Sequence, residues 1–253
     1  MARTIFIGDV HGCLYELRAL TNALDLYLGD RLVFLGDLVD KGPDSLGVIR
    51  QVRLLLSLYP GSVCIAGNHE EKALRFHEKG REQEAWADQA TEGEWSFLRS
   101  LMPLHREPEH GAVAVHGGFF PKFFTRFLDG VGEIPAAWHR GGGKRMDGVR
   151  SFLRVRHVAA TDGAMIGLGS EEQGDPHWSE VYDGREGFAF FGHDPLVGRI
   201  RTAKHAMGLD TGCVFGGTLT AAVLRPGDRP ADAQIVSVSA ARKYAEPLTQ
   251  VAD

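Results

Sequence analysis

Four short motifs along the chain carry side chains that can bind divalent metal ions. The motifs are Gly8-Asp9-Val10-His11-Gly12, Gly36-Asp37-Leu38-Val39-Asp40, Gly67-Asn68-His69-Glu70 and Val115-His116-Gly117-Gly118. With the later Gly192-His193 pair, the candidate ligands are Asp9, His11, Asp37, Asn68, His116 and His193. Carboxylate, amide and imidazole groups suit manganese, iron, cobalt, nickel and zinc. Two such ions about 3.5–4 Å apart can clamp both sides of a displacement at phosphorus, so the motifs predict phosphate-ester hydrolysis.

Each candidate ligand, taken alone, also has a purely structural interpretation. Asp37 and Asp40 could cap a following helix, and Asn68 could be a turn residue. His116 and His193 could be core histidines whose ring nitrogens are satisfied by hydrogen bonds. Five of the six ligands, however, immediately follow apolar runs that read as strands. This joint pattern favours a metal site over six unrelated structural roles.

Further residues could act on a phosphate held at this site. His69, next to Asn68, could donate a proton to the leaving oxygen as a general acid. Lys41 follows the second motif and could bind phosphate. Arg154 and Arg156 alternate along the sequence, so they would share one face of an extended chain. A solvated position is equally compatible with each arginine.

A second basic cluster surrounds Gly141-Gly142-Gly143. Its members are Arg140, Lys144, Arg145 and Arg150. The cluster could contact a long polyphosphate, but a mobile charged surface loop is the more ordinary interpretation. It is not a nucleotide P-loop, because Lys144 is followed by arginine instead of serine or threonine.

Apolar runs and helical periodicities alternate through the first hundred residues. Strands are predicted from Thr4 to Gly8, Arg31 to Leu35 and Val63 to Ala66. Helices are predicted from Leu14 to Leu26, from a Ser45 cap to about Leu58, from Glu70 to about Gly80 and from Glu82 to Leu101. This alternation predicts a largely parallel sheet covered by helices, whose carboxyl-end loops carry Asp9, Asp37 and Asn68.

The later strands are closely spaced and predict a second sheet packed on the first. They run from Phe188 to Phe191, Ala206 to Leu209, Leu219 to Leu224 and Ile235 to Val238, after a fourth strand predicted from Ala112 to Val115. Residues 120–185 show little periodicity and are expected to cap the site as loops and short helices. We therefore expect an α/β fold of two packed mixed β-sheets flanked by helices, in one domain spanning residues 1–253, with a loose tail after Tyr244.

Composition restricts the compartment and the partners. The formal net charge is −5, so the chain lacks the basic footprint of a generic nucleic-acid binder. Its three cysteines include no CxxC pair, which favours a reducing compartment over a disulfide framework. The first residues carry too short an apolar run for a signal peptide, and no segment approaches a membrane-spanning length. We expect a cytoplasmic protein without a membrane partner; its oligomeric state is not readable.

The blocks Gly-Asp-x-His-Gly, Gly-Asp-x-Val-Asp-Lys-Gly and Gly-Asn-His-Glu resemble the calcineurin-like metallophosphoesterase superfamily, in its phosphoprotein-phosphatase-like branch. The resemblance implies a metallophosphoesterase sandwich with two metal ions, expected to be manganese. It assigns Asp9, His11 and Asp37 to the first ion, and Asp37, Asn68, His116 and His193 to the second. It also implies that Asp40 orients His69.

Two departures from the superfamily pattern stand out. The branch lacks the second histidine of a Gly-His-x-His motif, as does Gly192-His193-Asp194-Pro195 here. The branch usually has arginine where this chain has Lys41, and lysine keeps the charge but loses the bidentate fork.

The substrate depends on sequence beyond the core motifs. Phe191 to Pro195 and Gly208 to Thr220 resemble symmetrical diadenosine tetraphosphatase-like proteins, and also the phosphatase domain of bacterial polynucleotide kinase–phosphatases. The resemblance implies attack by a metal-bridging hydroxide at an inner phosphorus of a dinucleotide, releasing two ADP. A serine/threonine or tyrosine protein phosphatase acting on phosphoprotein is the alternative. A catalytically silent binding module is disfavoured by the intact ligand set.

Overall fold

The computed structural model describes residues 2–247, which form two five-stranded sheets with helices around them. The strands are β1 (Thr4–Ile7), β2 (Arg31–Phe34), β3 (Val63–Cys64), β4 (Leu104–Glu107), β5 (Ala112–Val115), β6 (Phe188–Phe191), β7 (Arg201–Ala203), β8 (Ala206–Gly208), β9 (Thr218–Leu224) and β10 (Gln234–Ser239). The helices are α1 (Leu14–Ala23), α2 (Ser45–Leu58), α3 (Asn68–Glu78), α4 (Ala85–Gln89), α5 (Glu92–Ser100), α6 (Pro121–Arg126), α7 (Lys144–Ser151) and α8 (Trp178–Val181). The expected α/β class with two mixed sheets is confirmed.

The first sheet has the order β10-β9-β1-β2-β3. Strands β1, β2 and β3 are parallel, as the alternation predicted, whereas β9 and β10 are antiparallel to their neighbours. The assignment of the last two strands to the second sheet was therefore wrong. Strand β9 instead pairs with β1, with Ile5 opposite Val223, and β10 pairs with β9 at the edge of the first sheet. Six of the seven β9 residues are buried, as expected for a strand with neighbours on both sides.

The second sheet has the order β4-β5-β6-β8-β7, with β5, β6 and β8 parallel. Strands β4 and β7 were not predicted, because they are short and polar: β4 has exposed and half-buried residues at its centre, and β7 has no buried residue. The sheets bury apolar side chains against each other, and Phe6 of the first stacks on Phe190 of the second at 4.1 Å. Burial of this apolar surface favours the packing of the two sheets.

Helix boundaries differ from the predicted ones in specific ways. Ser45 is not the cap of α2, because Asp44 accepts the hydrogen bond from the Gly47 backbone N–H at 2.7 Å. Helix α3 begins at Asn68 instead of Glu70, and α1 ends at Ala23.

The predicted helix from Glu82 to Leu101 is divided into α4 and α5, because Thr91 starts a new helix with an N-terminal capping interaction from Glu94. Residues 120–185 contain α6, α7 and α8 between loops, as expected. Of the predicted tail, residues 248–253 lie outside the described part of the chain. Among residues 2–247, no helix is both long and apolar enough to cross a membrane.

The candidate ligands lie where parallel strands of both sheets end. Asp9 follows β1, Asp37 follows β2, His116 follows β5 and His193 follows β6. The carboxyl ends of parallel strands share one edge of a sheet, so each sheet brings its ligands to one edge. Asn68 joins them from the first turn of α3.

Backbone strain is concentrated in the same loops. Among the described non-glycine residues with positive φ are His11 (43°), Asp37 (48°), Asp40 (69°), Lys41 (68°) and His193 (69°). Such conformations are uncommon outside glycine and persist where surrounding contacts hold them. Their clustering at predicted site residues indicates that side-chain placement, more than local backbone preference, determines these loops.

Candidate metal centre

Asp37 lies between two imidazoles, with one carboxylate oxygen directed at each. Its Oδ2 is 3.4 Å from His11 Nε2, and its Oδ1 is 3.3 Å from His116 Nε2. All three side chains are buried. A carboxylate directed to two sides in this way has the geometry needed to bridge two ions.

The histidines are oriented by hydrogen bonds to backbone carbonyl oxygens. His11 Nδ1 is 2.9 Å from Val39 O, and His116 Nδ1 is 2.7 Å from Leu35 O. His193 uses the other nitrogen, with Nε2 3.1 Å from the carbonyl of Arg154. Metal-bound histidines in proteins are held in this way, because the second N–H determines the tautomer and directs the other nitrogen at the ion.

Asn68 and Asp9 complete the cluster. Asn68 Oδ1 is 3.1 Å from His116 Nε2 and 2.7 Å from His193 Nδ1. Asp9 Oδ2 accepts a hydrogen bond from the His193 backbone N–H at 3.0 Å, while its Oδ1 is buried without a hydrogen-bond partner. The structure thus brings all six predicted ligands together, and one buried carboxylate oxygen still lacks a donor.

Two glycines allow this close approach. A Cβ at Gly192 would lie 1.9 Å from Asp9 Oδ1, and a Cβ at Gly67 would lie 2.1 Å from Asp37 Oδ1. Any larger residue at either position would collide with a candidate ligand. The glycines in Gly67-Asn68 and Gly192-His193 are therefore required by the packing of the site.

Burial and neighbouring charges shift the pKa values of several candidate ligands. Burial, followed by the nearby charge of Asp210, raises the pKa of Asp9 well above its usual value. Burial would lower the pKa of His116, yet the negative charge of Asp37 raises it to about 9. Burial lowers the pKa of His11 to about 3, so its ring is neutral and able to bind a metal at neutral pH. Close buried carboxylates and imidazoles form a donor set that fits divalent ions, and binding would displace the protons of Asp9 and His116.

His69 is held beside the cluster by Asp40. Its Nδ1 is 2.7 Å from Asp40 Oδ2, and the other carboxylate oxygen accepts a hydrogen bond from Trp86 Nε1 at 2.9 Å. Burial would raise the pKa of Asp40, but the hydrogen bonds from His69 and Trp86 lower it. The ring of His69 packs edge-on against that of His11, with centroids 4.8 Å apart.

The predicted phosphate-binding cations take three different positions. Lys41 Nζ lies 3.1 Å from His11 Nε2, so its charge faces the cluster. Arg154 pairs with Glu71 at 2.5 Å. Arg156 pairs with Asp194 at 3.1 Å and donates to the carbonyl of His193.

The condition for Arg154 and Arg156 to share a face, an extended segment, is not met. The chain turns at residues 152–154, and the backbone N–H groups of Gly117 and Gly118 both donate to Phe152 O. Because this turn replaces an extended segment, the two guanidinium groups point to different partners.

Glu70 is a buried residue whose role the sequence reasoning missed. Its Oε2 accepts from the backbone N–H groups of Asp37 and Gly67, each at 2.8 Å. Its Oε1 accepts from Leu38 at 2.8 Å and from Val39 at 3.3 Å. Glu70 thus ties the loop after β2 to the start of α3. A glutamate three residues after a helix cap is half of a capping box, which is the signal that could have identified it.

Glu70→Gln is expected to destabilise the protein by about 3 kcal/mol, because the new amide group faces buried backbone donors and leaves them unpaired. It should also lower phosphatase activity, since the Asp37 loop loses its anchor. Chemical denaturation and the rate on an aryl phosphate measure the two effects. Glu82→Gln, which changes an exposed glutamate, serves as the control. Wild-type stability in Glu70→Gln would contradict the anchoring role.

Comparison with known families identifies the family of this chain. Residues 2–217 match the model of the calcineurin-like phosphoesterase family. This segment includes all six candidate ligands, together with His69, Asp40 and Lys41.

Named relatives cover most of the chain. A protein of Pseudomonas putida (strain F1) called symmetrical bis(5'-nucleosyl)-tetraphosphatase is 28% identical over 86% of this chain and 88% of its own. A protein of Anoxybacillus flavithermus called asymmetrical bis(5'-nucleosyl)-tetraphosphatase PrpE is 32% identical over 85% of this chain and 87% of its own.

Solved structures agree on the fold. A crystal structure provisionally named a diadenosine tetraphosphatase superimposes with a TM-score of 0.69, at 29% identity, over 94% of this chain and 93% of that one. A mutant cold-active protein tyrosine phosphatase superimposes with a TM-score of 0.62 over 94% of this chain and 80% of that one. The latter is 15% identical, so its likeness shows the fold alone.

Proposed function

We propose that this chain, which belongs to the calcineurin-like phosphoesterase family, hydrolyses dinucleoside tetraphosphates symmetrically and converts diadenosine tetraphosphate to two ADP. The proposed ligands of the first ion are Asp9, His11 and Asp37. Those of the second are Asp37, Asn68, His116 and His193. A cytoplasmic location accords with the three cysteines, which are buried free thiols.

One observation carries the choice of substrate. Relatives named for bis(5'-nucleosyl)-tetraphosphate hydrolysis align over 85% or more of this chain. The symmetrical and asymmetrical relatives share the named substrate and differ only in where it is cut. The choice is also supported by the five other metal-compatible side chains near Asp37 in the same sequence range, which are Asp9, His11, Asn68, His116 and His193.

The residues present fit two divalent ions. The unpaired oxygen of Asp9 and the two-sided placement of Asp37 are observations on which this fit rests. When bound, such ions supply Lewis-acid polarisation of phosphoryl oxygens and activation of water. We propose manganese, and the mixed nitrogen and oxygen donors also accept cobalt, iron, nickel or zinc.

The chain's own residues supply charge and a proton. Lys41 offers an ammonium group beside His11, where it can bind a non-bridging oxygen of the reacting phosphate. Arg154 lies next to the cluster through its carbonyl contact with His193 and can bind the same phosphate by its side chain. Arg156, paired with Asp194, instead positions the His193 loop. His69, oriented by Asp40, donates a proton to the leaving oxygen.

The products of diadenosine tetraphosphate test the proposal. We expect two ADP as the only initial products, identified by chromatography and mass spectrometry in the presence of manganese. The chelated protein should produce none, and manganese should restore activity. Failure to cleave this substrate, with rapid release of phosphate from phosphopeptides, would overturn the proposal in favour of a protein phosphatase.

Asymmetrical cleavage is the second candidate. It is favoured by the 32% identity to the PrpE relative, which slightly exceeds the identity to the symmetrical relative. Asymmetrical cleavage yields ATP and AMP. The same product analysis therefore separates the two candidates without a further experiment.

A further inference from the structure

An open cleft rich in arginine lies beside the candidate metal centre. Its volume is about 280 Å³, and it is lined by Glu71, Arg75, Arg150, Ser151, Arg154 and Met165. Arg75 comes from α3, Arg150 from the end of α7 and Arg154 from the turn that follows. Three guanidinium groups from two parts of the sequence thus border one space.

Two elements connect the cleft to the candidate metal centre. The carbonyl of Arg154 lies 3.1 Å from Nε2 of the candidate ligand His193, while its side chain borders the cleft. Glu71 lies one helical turn after Asn68 on α3. Helix α3 and the Arg154 segment therefore contribute residues both to the cleft and to the surroundings of the candidate metal centre.

The cleft carries a net positive charge. Glu71 faces both Arg154 at 2.5 Å and Arg75 at 3.5 Å. Arg150 pairs with Asp147 and donates to Gly141 O at 2.6 Å. Three arginines thus face two carboxylates.

Arg75 keeps capacity for an anion. The Arg75 side chain is 42% exposed and its pair with Glu71 is loose, so it has donors left for an anion. Planar guanidinium groups bind phosphate through paired hydrogen bonds.

We infer that Arg75 and Arg150 form a subsite for the phosphates of a polyphosphate chain that lie beyond the reacting phosphorus. The inference rests on the proposed function, because it concerns the remainder of the same substrate. A phosphomonoester has no group to place there, so the subsite selects polyphosphates over monoesters. Arg154 stands between the subsite and the metal centre.

Arg75→Gln tests the subsite, since Arg75 is exposed and its removal leaves the core intact. Inorganic tripolyphosphate and orthophosphate are titrated calorimetrically into the manganese-loaded protein, with manganese in constant excess. We expect the Kd of tripolyphosphate to rise about tenfold, as for one lost charge-assisted contact, and that of orthophosphate to change less than about twofold. Arg75→Lys should recover part of the loss, because it keeps the charge but not the fork.

Arg229→Gln is the matched control, since Arg229 is also an exposed arginine in a short-range ion pair, here with Asp232. It should bind both anions as the wild type does. Equal Kd values for tripolyphosphate in Arg75→Gln and wild type would overturn the subsite, as would a parallel loss of orthophosphate binding.

The KM for diadenosine tetraphosphate separates this inference from the proposed function. A raised KM in Arg75→Gln with kcat nearly unchanged supports both. If Arg75→Gln raises the Kd of tripolyphosphate as expected but the wild type does not cleave the dinucleotide, the proposed function alone is refuted. Normal cleavage with no tripolyphosphate effect refutes the subsite alone.

Discussion

Asp37→Asn is expected to lower kcat for diadenosine tetraphosphate by roughly a thousandfold or more, because the Asp37 carboxylate faces both His11 and His116, which belong to opposite halves of the candidate centre. An asparagine offers one neutral oxygen in place of two charged ones, so it cannot bridge two ions. The rate on an aryl phosphate should fall in parallel, since both substrates depend on the same centre. Wild-type turnover in this variant would exclude the bridging role.

The fold of Asp37→Asn should remain intact. Asparagine tolerates the φ of 48° at this position, and its oxygen can still accept the His69 backbone N–H that Asp37 Oδ1 accepts at 3.0 Å. The substitution also removes one of several buried negative charges. Burial opposes the charge of Asp37, but His116 holds the pKa of Asp37 well below its usual value, so the carboxylate stabilises the metal-free fold and its loss should lower the metal-free Tm by a few degrees. Asp25→Asn is the matched control, because Asp25 has a φ of 45° but is exposed away from the site.

His69→Ala is expected to have a substrate-dependent effect. With a phosphoserine peptide we expect kcat to fall about a thousandfold, because a serine alkoxide leaves only when protonated. With diadenosine tetraphosphate the expected fall is about tenfold, since ADP is a far better leaving group and needs less help from an acid. Initial rates of the variant and wild type on both substrates measure this difference.

Two further variants sharpen the test of the acid. Asp40→Asn should reproduce part of the His69→Ala pattern, because Asp40 orients the imidazole at 2.7 Å. His110→Ala, a histidine outside the site, should leave both rates unchanged. Equal losses on the two substrates in His69→Ala would contradict the role of His69 as a general acid. Where the wild type does not act on the peptide, phenyl phosphate and 4-nitrophenyl phosphate provide the same contrast in leaving group.

The convergence of the candidate ligands was predictable from the sequence, because it depends only on the strands and on where each strand ends. Asp9, Asp37 and His116 each follow a buried apolar run, and parallel strands end at a common edge. Glycines beside these residues marked where the chain had to turn. No knowledge of tertiary partners was required for this step.

Other features depend on partners distant in sequence and could not be predicted. The apolar run of β9 does not indicate whether this strand pairs with β1 or joins the second sheet. Trp86 reaches Asp40 across 46 residues, and Glu70 reaches the Asp37 loop across 33. The separation of Arg154 from Arg156 depends on a turn that Gly117 and Gly118 stabilise from another strand end. Local patterns contain no information on such pairings.

The metal content of the purified protein tests most directly whether the six side chains form one two-metal centre. Equilibrium dialysis against manganese, followed by elemental analysis, should find two ions per wild-type chain and at most one in Asp37→Asn. The Asp25→Asn control should retain two. A wild-type content of one ion per chain, or two ions retained in Asp37→Asn, would contradict a dinuclear centre bridged by Asp37.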